Sequence, residues 1–76
     1  MNKEDYELRD TIRKRLVECR KEKGMSQAAL AELLGSVPTT VASWEQPGKA
    51  LPSVQMLYRL SKFYGKTINY MYGEEE

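Results

Sequence analysis

The sequence is nearly devoid of histidine and cysteine, the side chains that most often perform general-base or thiol chemistry. The chain contains one cysteine, Cys19, and no histidine. Histidine is the commonest general base, and zinc sites use several cysteine or histidine ligands. The composition therefore argues against a catalytic site that depends on histidine and against a zinc site. A single cysteine also excludes a disulfide framework. We therefore expect no enzyme, no metal site and no cofactor, and we expect Cys19 to be a small buried residue.

The chemistry that remains is hydrogen bonding, and a distinct polar face lies within residues 37–46. The helical period places Val37, Val41 and Trp44 on one side of this segment, which predicts that they face the core. The opposite side carries small or polar residues, namely Thr39, Ala42, Ser43 and Gln46. Pro38 can begin the helix, because the first helical position needs no N–H donor.

A second short helix precedes this one. Ser26 is placed to accept a hydrogen bond at its N-terminus, and Gly35 can end it in the left-handed conformation. Three leucines at helical spacing predict one apolar face: Leu30, Leu33 and Leu34. Two short helices joined by a glycine-containing turn form a helix-turn-helix motif.

The remaining sequence predicts three further helices. Residues 4–23 form a long first helix that ends at Gly24, with an apolar stripe of Leu8, Ile12, Leu16 and Cys19. Most of its basic residues are expected to solvate the helix: Arg13, Lys14, Arg15, Lys21 and Lys23. A fourth helix follows Pro52-Ser53 and ends at Gly65, and Thr67 caps a short last helix.

The net charge of +1 conceals an uneven distribution. Residues 1–7 carry one basic and three acidic side chains, and residues 74–76 carry three acidic ones. Residues 8–73 therefore hold eleven basic and five acidic side chains, a net charge of +6 that suits a polyanionic partner. The sequence has neither a signal peptide nor an apolar run of membrane-spanning length, so we expect a soluble, cytoplasmic protein without membrane contact.

Taken in order, these features resemble the Cro/repressor type (XRE-like) of helix-turn-helix domain, which is widespread in bacteria and their phages. The residues that carry the resemblance are Arg20, Gly24, Met25-Ser26-Gln27, Leu30-Ala31, Leu34-Gly35, Val41, Trp44-Glu45, Gly48-Lys49, Pro52-Ser53, Leu57, Leu60, Gly65 and 68–73. The resemblance implies an all-α fold, a compact five-helix bundle over residues 8–73. Residues 1–7 would be an acidic extension able to join the first helix, and 74–76 an acidic tail.

The resemblance also implies roles for individual residues. The third helix, residues 38–45, would enter the DNA major groove and face the bases with Pro38, Thr39, Ala42 and Ser43. Phosphate contacts would come from Gln27, Thr40 and Lys49. None of the four base-facing residues is of the type that makes bidentate base contacts, so direct discrimination among bases should be weak. In the family, the arginine at the position of Arg20 pairs with the glutamate at the position of Glu45.

We interpret the chain as a repressor-like transcriptional regulator from a prokaryote or phage that binds double-stranded DNA as a homodimer, without a small-molecule ligand. Three aromatic residues near the C-terminus are candidates for the dimer interface: Phe63, Tyr70 and Tyr72. The alternative is a protein-interaction module of antitoxin or antirepressor type with the same fold. The outer face of the third helix has small, uncharged side chains, which favours this alternative. The net charge of +6 on residues 8–73 and the presence of Gln27 favour DNA binding.

Overall fold

The computed structural model describes residues 1–75, which form five α-helices and no strand within that range. The helices are α1 (Lys3–Glu22), α2 (Gln27–Leu34), α3 (Pro38–Glu45), α4 (Val54–Tyr64) and α5 (Ile68–Met71). The predicted all-α, five-helix fold is therefore confirmed. None of the helices in residues 1–75 combines the length and apolar character needed to cross a bilayer.

Side chains and glycines define the helix ends. The hydroxyls of Ser26, Ser53 and Thr67 each accept a hydrogen bond from a backbone N–H three residues later. Gly35 ends α2 with φ of 72°, a left-handed conformation that glycine adopts without strain. These contacts fix both ends of α2 and the starts of α4 and α5. Helix α3 has no side-chain cap, and it begins at Pro38 as predicted.

One core joins all five helices. Its buried apolar members are Ile12, Leu16, Cys19, Leu30, Ala31, Val41, Trp44, Leu57, Leu60, Tyr64 and Met71. The prediction that Cys19 is buried is correct, and burial raises the pKa of its thiol. Burial also raises the pKa of Tyr64 to about 12, because its hydroxyl lies inside the core without a hydrogen-bond partner.

For three residues, the prediction that the side chain faces the core was wrong. Leu8, Leu33 and Val37 are 42%, 53% and 55% exposed. Residues 1–8 are all exposed, so the first turns of α1, including Leu8, extend beyond the core. Leu33 and Val37 flank the turn of the helix-turn-helix, where the core is reached instead by Ala31 and Val41.

Candidate nucleic-acid interface

The end of α3 is tied to α1 by an ion pair between two nearly buried side chains. Arg20 donates from Nε to Oε2 of Glu45 at 2.7 Å and from Nη2 to Oε1 at 2.9 Å. The two side chains are only 12% and 8% exposed, and the hydrogen bond to Glu45 raises the pKa of Arg20. Arg20 also donates from Nη1 to the carbonyl oxygen of Met25 at 2.8 Å. One guanidinium thus fixes α3 and the turn before α2.

Glu45 extends this network to the first residue of α2. The side-chain amide of Gln27 donates from Nε2 to Oε1 of Glu45 at 2.9 Å. An amide nitrogen carries two hydrogens, so one remains to donate to another acceptor. The half-buried Gln27 follows the cap residue of α2, whose first turn holds no acidic side chain. The amide therefore lies beside the positive end of a helix dipole, where an anion is favoured.

Arg13 is not the solvated side chain that the sequence predicted, since it is only 4% exposed. Its Nη1 donates to the carbonyl oxygens of Ser43 at 3.2 Å and Trp44 at 2.9 Å, and its Nη2 donates to that of Lys49. The carbonyls at the end of a helix lack intrahelical partners, and a guanidinium can satisfy several at once. Desolvation lowers the pKa of Arg13, yet these acceptors make its burial tolerable.

The outer face of α3 carries small side chains. Pro38 and Thr39 are exposed, whereas Thr40, Ala42 and Ser43 are half-buried. The hydroxyl of Ser43 donates to the carbonyl oxygen of Thr39 at 2.9 Å, within the helix. With its hydrogen engaged, this hydroxyl can offer only lone pairs to a partner. The face can form van der Waals contacts and single hydrogen bonds.

Lys49 lies in an exposed turn between α3 and α4. Its N–H donates to the carbonyl oxygen of Gln46 at 3.2 Å, and Gly48 has φ of 81°. Pro47-Gly48 at the centre of this turn matches the sequence preference of a type II turn, whose third position requires positive φ. The Lys49 side chain is exposed, and its carbonyl oxygen also accepts from Nη2 of Arg9 at 3.3 Å.

The three aromatic residues predicted as dimer contacts are half-buried. Phe63 packs against Tyr64 with ring centroids 5.3 Å apart, and Tyr70 lies 4.3 Å below the guanidinium of Arg15. Tyr72 packs at the edge of the core. All three are used within the chain. The more exposed apolar residues in this part of the molecule are Val54 at 83% and Tyr58 at 55%.

The structure therefore brings together only part of the predicted set. Gln27, Arg20 and Glu45 form one network, and the turn that carries Lys49 is joined to α1 by Arg9 and Arg13. The sequence did not predict these contacts of Arg9 and Arg13. A signal did exist, because Arg13 precedes Arg20 by seven residues and two helical turns place both on one face.

Comparisons with known proteins agree with this geometry. A family model described as helix-turn-helix matches residues 16–71. The chain is 36% identical over 63 residues to the HTH-type transcriptional regulator PuuR of Escherichia coli (strain K12), and equally to that of Shigella flexneri. Each match covers 83% of this chain and 34% of the relative, so the chain spans about a third of the length of these relatives. No solved structure matches it significantly.

Proposed function

The chain belongs to the XRE-type helix-turn-helix family, and from this premise we propose that it is a DNA-binding, repressor-like transcriptional regulator of a prokaryote or phage. It acts in the cytoplasm, without catalysis, by placing α3 in the major groove of an operator. The observation that carries the proposal is the Arg20–Glu45–Gln27 network. It holds the start of α2 and the end of α3 in one register while the small polar face of α3 stays open.

Phosphate contacts supply most of the affinity in this proposal. The free amide hydrogen of Gln27 and the ammonium of Lys49 contact the DNA backbone, and the hydroxyl of Thr40 adds a third contact. Such contacts set the register of a protein on DNA without reading sequence. The net charge of +6 on residues 8–73 supports them by attracting the polyanion.

Base contacts supply only modest selectivity. The face of Pro38, Thr39, Ala42 and Ser43 lacks the arginine, glutamine, asparagine or lysine that would discriminate bases by about 1–3 kcal/mol per bidentate pair. A threonine methyl can pack on a thymine methyl, and the lone pairs of Ser43 can accept from an adenine or cytosine amino group. The remaining selectivity comes from DNA shape at positions that the protein does not touch.

The experiment is a competition assay of single variants on one selected site and one random duplex. Lys49→Ala should weaken binding to both duplexes alike and reduce the log–log salt slope by about one unit. Thr39→Ala should instead change the preference between the duplexes by about 1 kcal/mol or less. Lys14→Ala, which removes an exposed lysine from α1, is the matched control. Unchanged affinities in Lys49→Ala, or equal losses on both duplexes in Thr39→Ala, would contradict this docking.

We also propose that the chain binds its operator as a homodimer, with two α3 helices one DNA turn apart. Tyr58 and Phe63 line a surface depression of about 440 Å³ together with Leu33 and Leu34. Arg59 and Lys62 also line this depression, which is otherwise apolar and supports a role for Phe63 at the edge of an interface. Half-buried Tyr72 lines a second depression, of about 270 Å³, beside Val54.

Sedimentation at micromolar concentration should therefore show a dimer that Tyr58→Arg dissociates, because the new charge would be buried in the interface. Tyr6→Arg is the matched control, since Tyr6 on α1 is 58% exposed and Tyr58 is 55% exposed. A monomer in the presence and absence of DNA would count against the homodimer.

The alternative function is a protein-interaction module of antitoxin or antirepressor type. The observation in its favour is the uncharged outer face of α3. Salt dependence separates the two functions, because phosphate contacts require binding to random duplex to fall steeply as salt increases.

A further inference from the structure

Arg13 joins α1 to both ends of the segment 43–49, which runs from the last turn of α3 to the turn that carries Lys49. Its guanidinium donates to the carbonyl oxygens of Ser43, Trp44 and Lys49. These residues lie 30, 31 and 36 positions away in the sequence. A single planar group thus determines the spacing between the end of α3 and Lys49.

The segment has few other means of holding this shape. Its own hydrogen bonds are local, from the N–H of Gln46 to Ser43 O and from the N–H of Lys49 to Gln46 O, both at 3.2 Å. Trp44 before the turn is buried and Leu51 after it packs against the core, but residues 46–50 between them are all exposed. The side chains that hold the backbone of Lys49 itself are Arg13 and Arg9 of α1, both donating to its carbonyl oxygen, Arg9 at 3.3 Å.

We infer that Arg13 is a positioning residue for DNA binding, which holds the backbone of Lys49 so that its ammonium meets a phosphate while α3 lies in the groove. The inference rests on the proposed function. With 4% of its surface exposed, Arg13 cannot contact DNA itself and acts only through the segment that it holds. Ordering the turn before binding removes an entropic cost that a free lysine loop would bear in the complex.

The decisive variant is Arg13→Lys, which preserves the charge and most of the buried stem. A lysine ammonium is a compact point charge without the planar fork, so it cannot reproduce the geometry of three carbonyl contacts. Because net charge is unchanged, the general attraction to DNA is also unchanged. Any change in the salt dependence of DNA binding then shows whether the Lys49 ammonium still contacts a phosphate.

We expect Arg13→Lys to weaken random-duplex binding several-fold and to reduce the log–log salt slope by about 0.9, the value of one lost phosphate contact. Adding Lys49→Ala to Arg13→Lys should cause almost no further loss, although Lys49→Ala alone weakens binding. Such non-additivity is the signature of two residues that act through one contact. Arg15→Lys is the matched control, since Arg15 also lies on α1 but contacts Tyr70.

Arg9→Lys provides a milder second variant, because Arg9 makes one long contact to Lys49. It should shift the slope in the same direction by a smaller amount, so the inference stays testable if Arg13→Lys fails to fold. If the wild type binds duplex DNA but the effects of Arg13→Lys and Lys49→Ala are additive, this inference alone is overturned. Additive effects of Arg9→Lys and Lys49→Ala would overturn it in the same way. A wild type that binds no duplex would overturn the proposed function as well.

Discussion

Trp44→Ala is expected to cause the largest loss of stability of any single change considered for this chain. The indole is 7% exposed and lies in the single core, where α3 packs against α1 and α2. Replacing a buried tryptophan by alanine removes the burial of a large apolar surface and leaves a cavity, at a cost of about 3–5 kcal/mol. A domain of this length is stable by about 4–11 kcal/mol at typical values per residue, so the loss consumes much of that margin.

The measurement is urea denaturation followed by far-ultraviolet circular dichroism, because the variant lacks the fluorescent side chain. Val54→Ala is the control, since Val54 lies on α4 and is 83% exposed. The control should unfold at nearly the wild-type midpoint, whereas the midpoint of Trp44→Ala should fall by the urea equivalent of about 3–5 kcal/mol. Equal midpoints for both variants would show that Trp44 is not a core residue, as would wild-type tryptophan fluorescence typical of full exposure to water.

Glu45→Ala should have the next largest effect on stability. The change leaves the guanidinium of Arg20, whose side chain is 12% exposed, without its counter-ion. It also removes the acceptor that Gln27 uses. Removing one partner of a buried ion pair typically costs about 3–5 kcal/mol, mainly because the remaining charge is left uncompensated.

A double-mutant cycle tests this explanation. Arg20→Met combined with Glu45→Ala should be less destabilising than the sum of the two single changes, because no buried charge remains. Glu7→Ala is the control, since the pair of Lys3 and Glu7 is 3.9 Å long with side chains 89% and 65% exposed. An exposed pair of this kind contributes about 0–1 kcal/mol. A loss in Glu45→Ala no larger than that in the control would refute a structural role for the pair.

The sequence predicted the helix ends well because the signals for them are local. Ser26 and Gly35 bound α2 through contacts within a few residues, and Pro38 starts α3 through its fixed φ. Such interactions form in any fold that contains these helices. The number and order of the five helices followed from them.

The sequence could not predict which of several candidate residues would face the core. A helix of eight residues has only about two turns, so Leu33 and Leu30 fit the helical period equally well. Only the positions of the neighbouring helices decide that Leu30 is buried and Leu33 exposed. The burial of Arg13 is a stronger example, because its three carbonyl acceptors lie 30 or more residues away.

The most direct test of the central proposal is a map of amide NMR shifts as duplex DNA is added to the wild-type chain. We expect the largest changes at Gln27, Thr39 and Lys49, the residues proposed to contact DNA. Rising salt should reverse these changes, since phosphate contacts release counter-ions. Changes centred on Tyr6 and Lys14 of α1, or no changes at any DNA concentration, would contradict the proposed interface.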